Sequence, residues 1–164
     1  MTFEEALRLS EELLLDLEDE GQTEERNAQL LHLLSTVPAC RGFFVSFLTG
    51  ECGLADDPPD YLLAAFMASE HVPELMAKNL VMSSCMELQH KRNGDDLKAE
   101  GSARVKARSS ELIKRLKSAQ MRSRLSEMRF SIKSKTGIHA EFLRRWNYDA
   151  DQLAAACAAI EALL

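Results

Sequence analysis

The stretch LMAKNLVMSSCMEL, residues 75 to 88, places apolar side chains at almost every angle of a helix. Leu75, Met76, Leu80, Val81, Met82, Cys85, Met86 and Leu88 stand there against only Lys78 and Glu87 as charges. A helix without a wet face has to be covered on all sides, so the rest of the chain must wrap it. Pro73 suits the first turn of such a helix and Gly94 suits its end. The spacing therefore predicts a buried central helix over 73–93.

The surrounding sequence reads as helical too. Glycine and proline are scarce, at 7 and 4 of 164 residues, and no β-branched run interrupts the Leu, Ala, Glu, Lys, Arg and Met that dominate. Thr2 with Glu5 has the capping-box pattern, and Phe3, Leu7, Leu14 and Leu17 form one stripe after it. Thr23 caps a second helix that carries Ala28, Leu30, Leu31 and Leu34 inward, with Pro38 as its stop. RGFFVSFLTGECG fits a short buried helix, although FFVSF alone would also fit a strand. Asp57 before Pro58 and Pro59 reads as an N-cap, and Asp149 with Gln152 as a second capping box.

The expected architecture is all-α: a single-domain helical bundle of about six to eight helices around the central one. Residues 2–92 form acidic N-terminal helices, 93–102 a linker, 103–136 a basic helical segment and 138–164 the C-terminal helices. No apolar run approaches the roughly 20 residues that a membrane-crossing helix needs, so no transmembrane segment is expected. MTFEEALRLSEE is acidic and amphipathic, unlike a signal or transit peptide, and the expected location is the cytoplasm. Cys40, Cys52, Cys85 and Cys157 lack paired spacing and read as reduced, buried thiols.

Charge is strongly segregated. From Arg104 to Lys135 there are eleven basic residues against Glu111 and Glu127, whereas the whole chain carries −6. Within that segment Val105, Leu112 and Leu116 fall on one line of a helix, and Met121, Leu125, Met128 and Ile132 fall on another. On an ideal helix the two lines differ in azimuth by roughly 160 to 180°. One straight helix cannot bury both against one body. Either the chain turns near residues 117 to 120, or one long helix packs its second half against something else. With no Gly or Pro between Ser102 and Thr136, helix propensity favours the long helix.

A long helix would expose its second apolar line, which a second copy of the chain could cover. The sequence reading is therefore a non-catalytic protein–protein interaction module, an adaptor, assembly factor or regulator. It would form a homodimer through Met121, Leu125, Met128, Ile132, Arg122 and Arg129. An acidic protein is the expected further partner, and Arg104, Lys106, Arg108, Arg115 and Arg124 are the candidate anion-binding residues. A plainer explanation is a solvated face balanced elsewhere, since residues 1 to 25 hold ten acids against Arg8 alone.

The alternative is a nucleic-acid-associated protein using the basic segment on phosphates. It is opposed by the net charge and by the lack of interleaved aromatics beyond Phe130. A third reading takes Met82, Cys85, Met86 and His90, spaced along one side of the central helix, as soft ligands for copper(I) or haem iron. Met and Cys at helical spacing are more commonly core, so no metal and no cofactor is expected. His32, His71, His90 and His139 fall in no catalytic pattern, and no enzyme activity is expected. Asn79, a polar amide on the apolar helix, needs hydrogen-bond partners if it is buried.

Overall fold

The Glu5 backbone N–H donates to Thr2 Oγ1 at 3.1 Å, and the Thr2 N–H donates to the Glu5 carboxylate at 2.7 Å. That reciprocal cap starts helix α1 (Phe3–Glu20) in the computed structural model, which describes residues 1–164. Eight further α-helices follow: α2 (Glu24–Leu33), α3 (Val37–Thr49), α4 (Asp60–Ala68), α5 (Val72–Arg92), α6 (Asp96–Leu116), α7 (Ala119–Ser134), α8 (Ala140–Trp146) and α9 (Ala150–Glu161). A single 3-10 turn spans Gly53–Ala55, and there is no strand, so the fold is all-α. The helices fall into two compact units, Met1–Leu75 and Met76–Leu164, with the boundary inside α5.

In the first unit α1 and α3 pack together closely. A Cβ at Gly42 would lie 2.8 Å from Ala6 Cβ, 2.9 Å from the Leu7 backbone N and 2.9 Å from the Phe3 carbonyl O. Glycine is required there because the helix backbones nearly touch. Ser46 Oγ donates to the Leu7 carbonyl at 3.2 Å across the same contact. Phe43, Phe44 and Phe47 project from α3 onto Phe66 of α4, with ring centroids 5.0 to 6.0 Å apart. Four fully buried rings dominate the energetics of a unit this small.

In the second unit no residue of α5 from Met76 to His90 is exposed, as a helix apolar on all sides requires. Helix α7 packs against α8 and α9. Gln152 of α9 clamps α5: its Nε2 donates to the Cys85 carbonyl at 3.1 Å, and Cys85 Sγ donates to the Gln152 carbonyl at 3.4 Å. The expected capping box of Asp149 and Gln152 is present.

Several sequence expectations change. FFVSF is helix, and Pro38 lies in the first turn of α3, where it opens that helix instead of closing α2. Ala28 and Leu31 face outward. Helix α4 starts directly after Pro59 without a side-chain cap, so Asp57 is not its N-cap. The 93–102 stretch is a turn only as far as Asp95, whose carboxylate accepts from the Lys98 N–H at 3.1 Å and starts α6. An aspartate N-cap outweighed the glycines that suggested a linker.

The basic segment is two helices, not one. They meet at Lys117, whose φ of +26° is outside the comfortable range of a residue with a Cβ, and at Ser118, whose Oγ accepts from the Met121 N–H at 3.0 Å. A left-handed residue costs roughly 1–2 kcal/mol. The break lets both apolar lines be buried, and each Leu, Met or Ile so covered contributes about 1.5–3 kcal/mol. Leu112 and Leu116, then Met121, Leu125, Met128 and Ile132, are all buried. Burial outweighs the strain several times over.

Two consequences for stability can be measured by urea denaturation. Gly42→Ala is expected to cost about 1–3 kcal/mol by forcing α1 and α3 apart, whereas Gly101→Ala, inside α6 with open space around it, should gain about 0.5–1 kcal/mol. Lys117→Gly should stabilise by about 0.5–1 kcal/mol through relief of the left-handed Cβ, and Lys117→Ala, which keeps the Cβ, should not.

Candidate functional site

Burying Met121, Leu125, Met128 and Ile132 fixes which side of α7 faces outward. Arg122, Ser126, Arg129 and Lys133 then follow one another at i, i+4, i+7 and i+11 along the outer flank, with Phe130 beside the last three. Ser126, Arg129, Phe130, Lys133 and Ser134 line a shallow open depression. Phe130 is 58% exposed, and the next large apolar residue, Ile138, is 67% exposed. Gly137 (φ +89°) runs beneath the ring, since a Cβ there would be 3.0 Å from Phe130 Cδ1. The surface is an aromatic side chain held against backbone and bordered by cations.

The expected interface residues therefore separate. Met121, Leu125, Met128 and Ile132 belong to the core of their own unit, so the apolar line that called for a second subunit is already covered. Arg122 is exposed and Arg129 half-buried, and neither makes an ion-pair contact. Lys133 bonds Glu161 at 2.7 Å, and Arg129 adds to the field on the same carboxylate.

The five anion-binding candidates from the sequence are largely occupied. Lys106 pairs with Glu87 at 3.4 Å, Arg115 with Glu111 at 3.3 Å and Arg124 with Glu127 at 2.9 Å. Arg108 is buried, and Arg104 and Arg108 already have partners within the chain. In the second unit the exposed cations without an ion-pair contact are Lys114, Lys117, Arg122, Lys135, Arg144 and Arg145. Local i, i+3 and i, i+4 spacing to Glu111 and Glu127 could have shown Arg115 and Arg124 to be engaged. Nothing in the sequence could have done so for Lys106, nineteen residues from its carboxylate.

The soft-ligand cluster does not offer a thiolate. Burial pushes the Cys85 thiol up to about 12, and its Sγ is committed to the Gln152 carbonyl. Met82, Met86 and His90 are half-buried on the same helix. Burial raises Cys40 likewise to about 12, while Cys52 and Cys157 are half-buried, and none of the four cysteines is in a disulfide. Asn79 is half-buried rather than enclosed. No group of three or more His, Cys, Asp or Glu side chains is placed to hold a metal ion.

Two carboxylates tie the ends of this unit together. Hydrogen bonding from Arg92, then from the Gln152 N–H, holds Asp149 below the usual carboxylate range, and the Lys133 hydrogen bond does the same for Glu161. A depressed folded-state value stabilises the protein above the ordinary carboxylate range, and the contribution is lost as pH falls through and below it. The urea midpoint should therefore fall between about pH 5 and pH 3. Asp149→Asn, which keeps the cap, and Glu161→Gln should each flatten that fall.

No curated protein and no solved structure matches the chain. One family model does, and it aligns with residues 2–163, every helix described above. The chain therefore belongs to the family described as uncharacterised conserved protein UCP020893.

Proposed function

We propose that the chain is a non-catalytic protein-interaction module whose working surface is the outer flank of α7, and that it takes an acidic protein segment. One observation carries this reading: Phe130 stands exposed in a depression it shares with Arg129, on the helix that also presents the exposed Arg122, in a unit with 17 basic and 10 acidic residues, a balance of +7. An exposed aromatic with arginine beside it is the composition enriched at protein interfaces. The net positive charge of the unit selects an acidic partner and speeds its encounter. Cys40 and Cys85 do not supply a thiolate nucleophile, because burial raises both thiols. No helix is long and apolar enough to cross a membrane, and the surface is read as one that meets a partner from water.

The test is fluorescence anisotropy with a labelled Glu- and Leu-rich helical peptide at low ionic strength. Arg122→Glu with Arg129→Glu is expected to weaken binding at least about tenfold, and Phe130→Gln to weaken it at unchanged salt dependence. Salt-sensitive binding to duplex DNA or RNA with no binding to the peptide would overturn the reading in favour of a phosphate-binding protein.

A further inference from the structure

The first unit carries the complementary surface. It has 3 basic and 16 acidic residues, a balance of −13. On α1, Leu15 is 60% exposed, and its four helical neighbours at i−4, i−3, i+3 and i+4 are Glu11, Glu12, Glu18 and Asp19. Glu12 is paired with Arg8, and Glu18 accepts from the Gly53 N–H at 2.9 Å. Glu11 and Asp19 make no ion-pair contact. The result is an apolar knob ringed by carboxylates, half of them uncompensated. The α7 flank is its counterpart, an exposed aromatic side chain on a helix that also carries the exposed Arg122 and, beside the ring, Arg129.

We infer that the acidic segment taken by the α7 flank is the α1 ridge of a second copy of this chain, so that copies associate through unlike faces. The inference rests on the α7 reading above and names its partner. Pairing of like faces is disfavoured, because α7 on α7 would bring Arg122 and Arg129 of two copies together, and α1 on α1 would do the same for carboxylates. Unlike faces place Leu15 against Phe130, with one end of the carboxylate ring toward the Arg129 and Arg122 side of α7. A contact between two different patches closes into a dimer when it is made twice and otherwise continues as a chain of copies. Its apolar part is small and its charges are exposed, so the association is screened by salt, the Debye length falling from roughly 30 Å at 0.01 M to about 8 Å at 0.15 M.

Sedimentation velocity on the full chain tests this. Wild type is expected to exceed the 18.4 kDa chain mass at low ionic strength and to return to it as salt is added. Arg122→Glu with Arg129→Glu, and separately Glu11→Lys with Asp19→Lys, should each sediment as monomers with unchanged helical circular dichroism. Mixed together they should form a 1:1 complex, because each retains the face that the other lacks. Leu15→Gln and Phe130→Gln, which leave the charges alone, should weaken wild-type association about tenfold or more. A wild type that stays monomeric at low salt while the acidic peptide still binds α7 would overturn this inference and leave the proposed function standing. A wild type that binds neither itself nor the peptide would overturn both. Association that persists in both charge variants would place the contact elsewhere and also overturn the inference.

Discussion

Two apolar lines on opposite sides of one basic segment have to be kept from water, and the second unit is arranged around that requirement. A straight helix over the segment would leave one line wet. The chain breaks at Lys117 instead, accepts a left-handed backbone there, and restarts α7 with Ser118 as cap. Once Met121, Leu125, Met128 and Ile132 turn inward, the outer flank of α7 has no remaining choice of side chains. Arg122, Arg129 and Phe130 face outward because the core claims the opposite side. The candidate surface is thus a by-product of core packing, held as firmly as the core itself.

Charge acts at a second level. The basic segment looks uniform along the sequence, but the fold sorts its cations into two groups, with Arg129 between them, half-buried and acting on Glu161 without an ion pair. Arg104, Lys106, Arg108, Arg115 and Arg124 are engaged within the chain, and Lys133 is tied to Glu161. Lys114, Lys117, Arg122 and Lys135 remain uncompensated at the surface. Individual exposed pairs contribute little to stability. Their larger effect is to decide which positions still carry a field that a partner can feel. A sorted surface can select a partner, where a run of eleven cations along a sequence says only that anions are welcome.

The first unit depends on proximity more than on charge. Gly42 lets α3 approach the α1 backbone at Ala6 and Leu7, and the Phe43, Phe44, Phe47 and Phe66 cluster fills the space that this approach defines. Its acidic residues fall on the outer side of α1 because Ala6, Ser10, Leu13, Leu14 and Leu17 take the inner one. Leu15 is left outside by the same arithmetic, one residue from the buried Leu14 and two from the buried Leu13 and Leu17. Both exposed apolar residues in the inferred contact, Leu15 and Phe130, are therefore positions that helical periodicity excludes from the core.

Helical content, the lack of a wet face on α5 from Met76 to His90 and the capped ends at Thr2, Thr23 and Asp149 were legible in the sequence, because they arise from interactions within about four residues. So was the conflict between the two apolar lines, since azimuth follows from spacing alone. What periodicity could not decide was how that conflict is resolved: propensity favoured a long helix, and only packing energy, a property of residues distant along the chain, outweighs the strain at Lys117. The same limit governs the site. Sequence by itself determined that the segment is basic and amphipathic; tertiary structure decided which cations are spent on partners such as Glu87, nineteen residues from Lys106, because an ion pair depends on distance in space and not on separation along the chain.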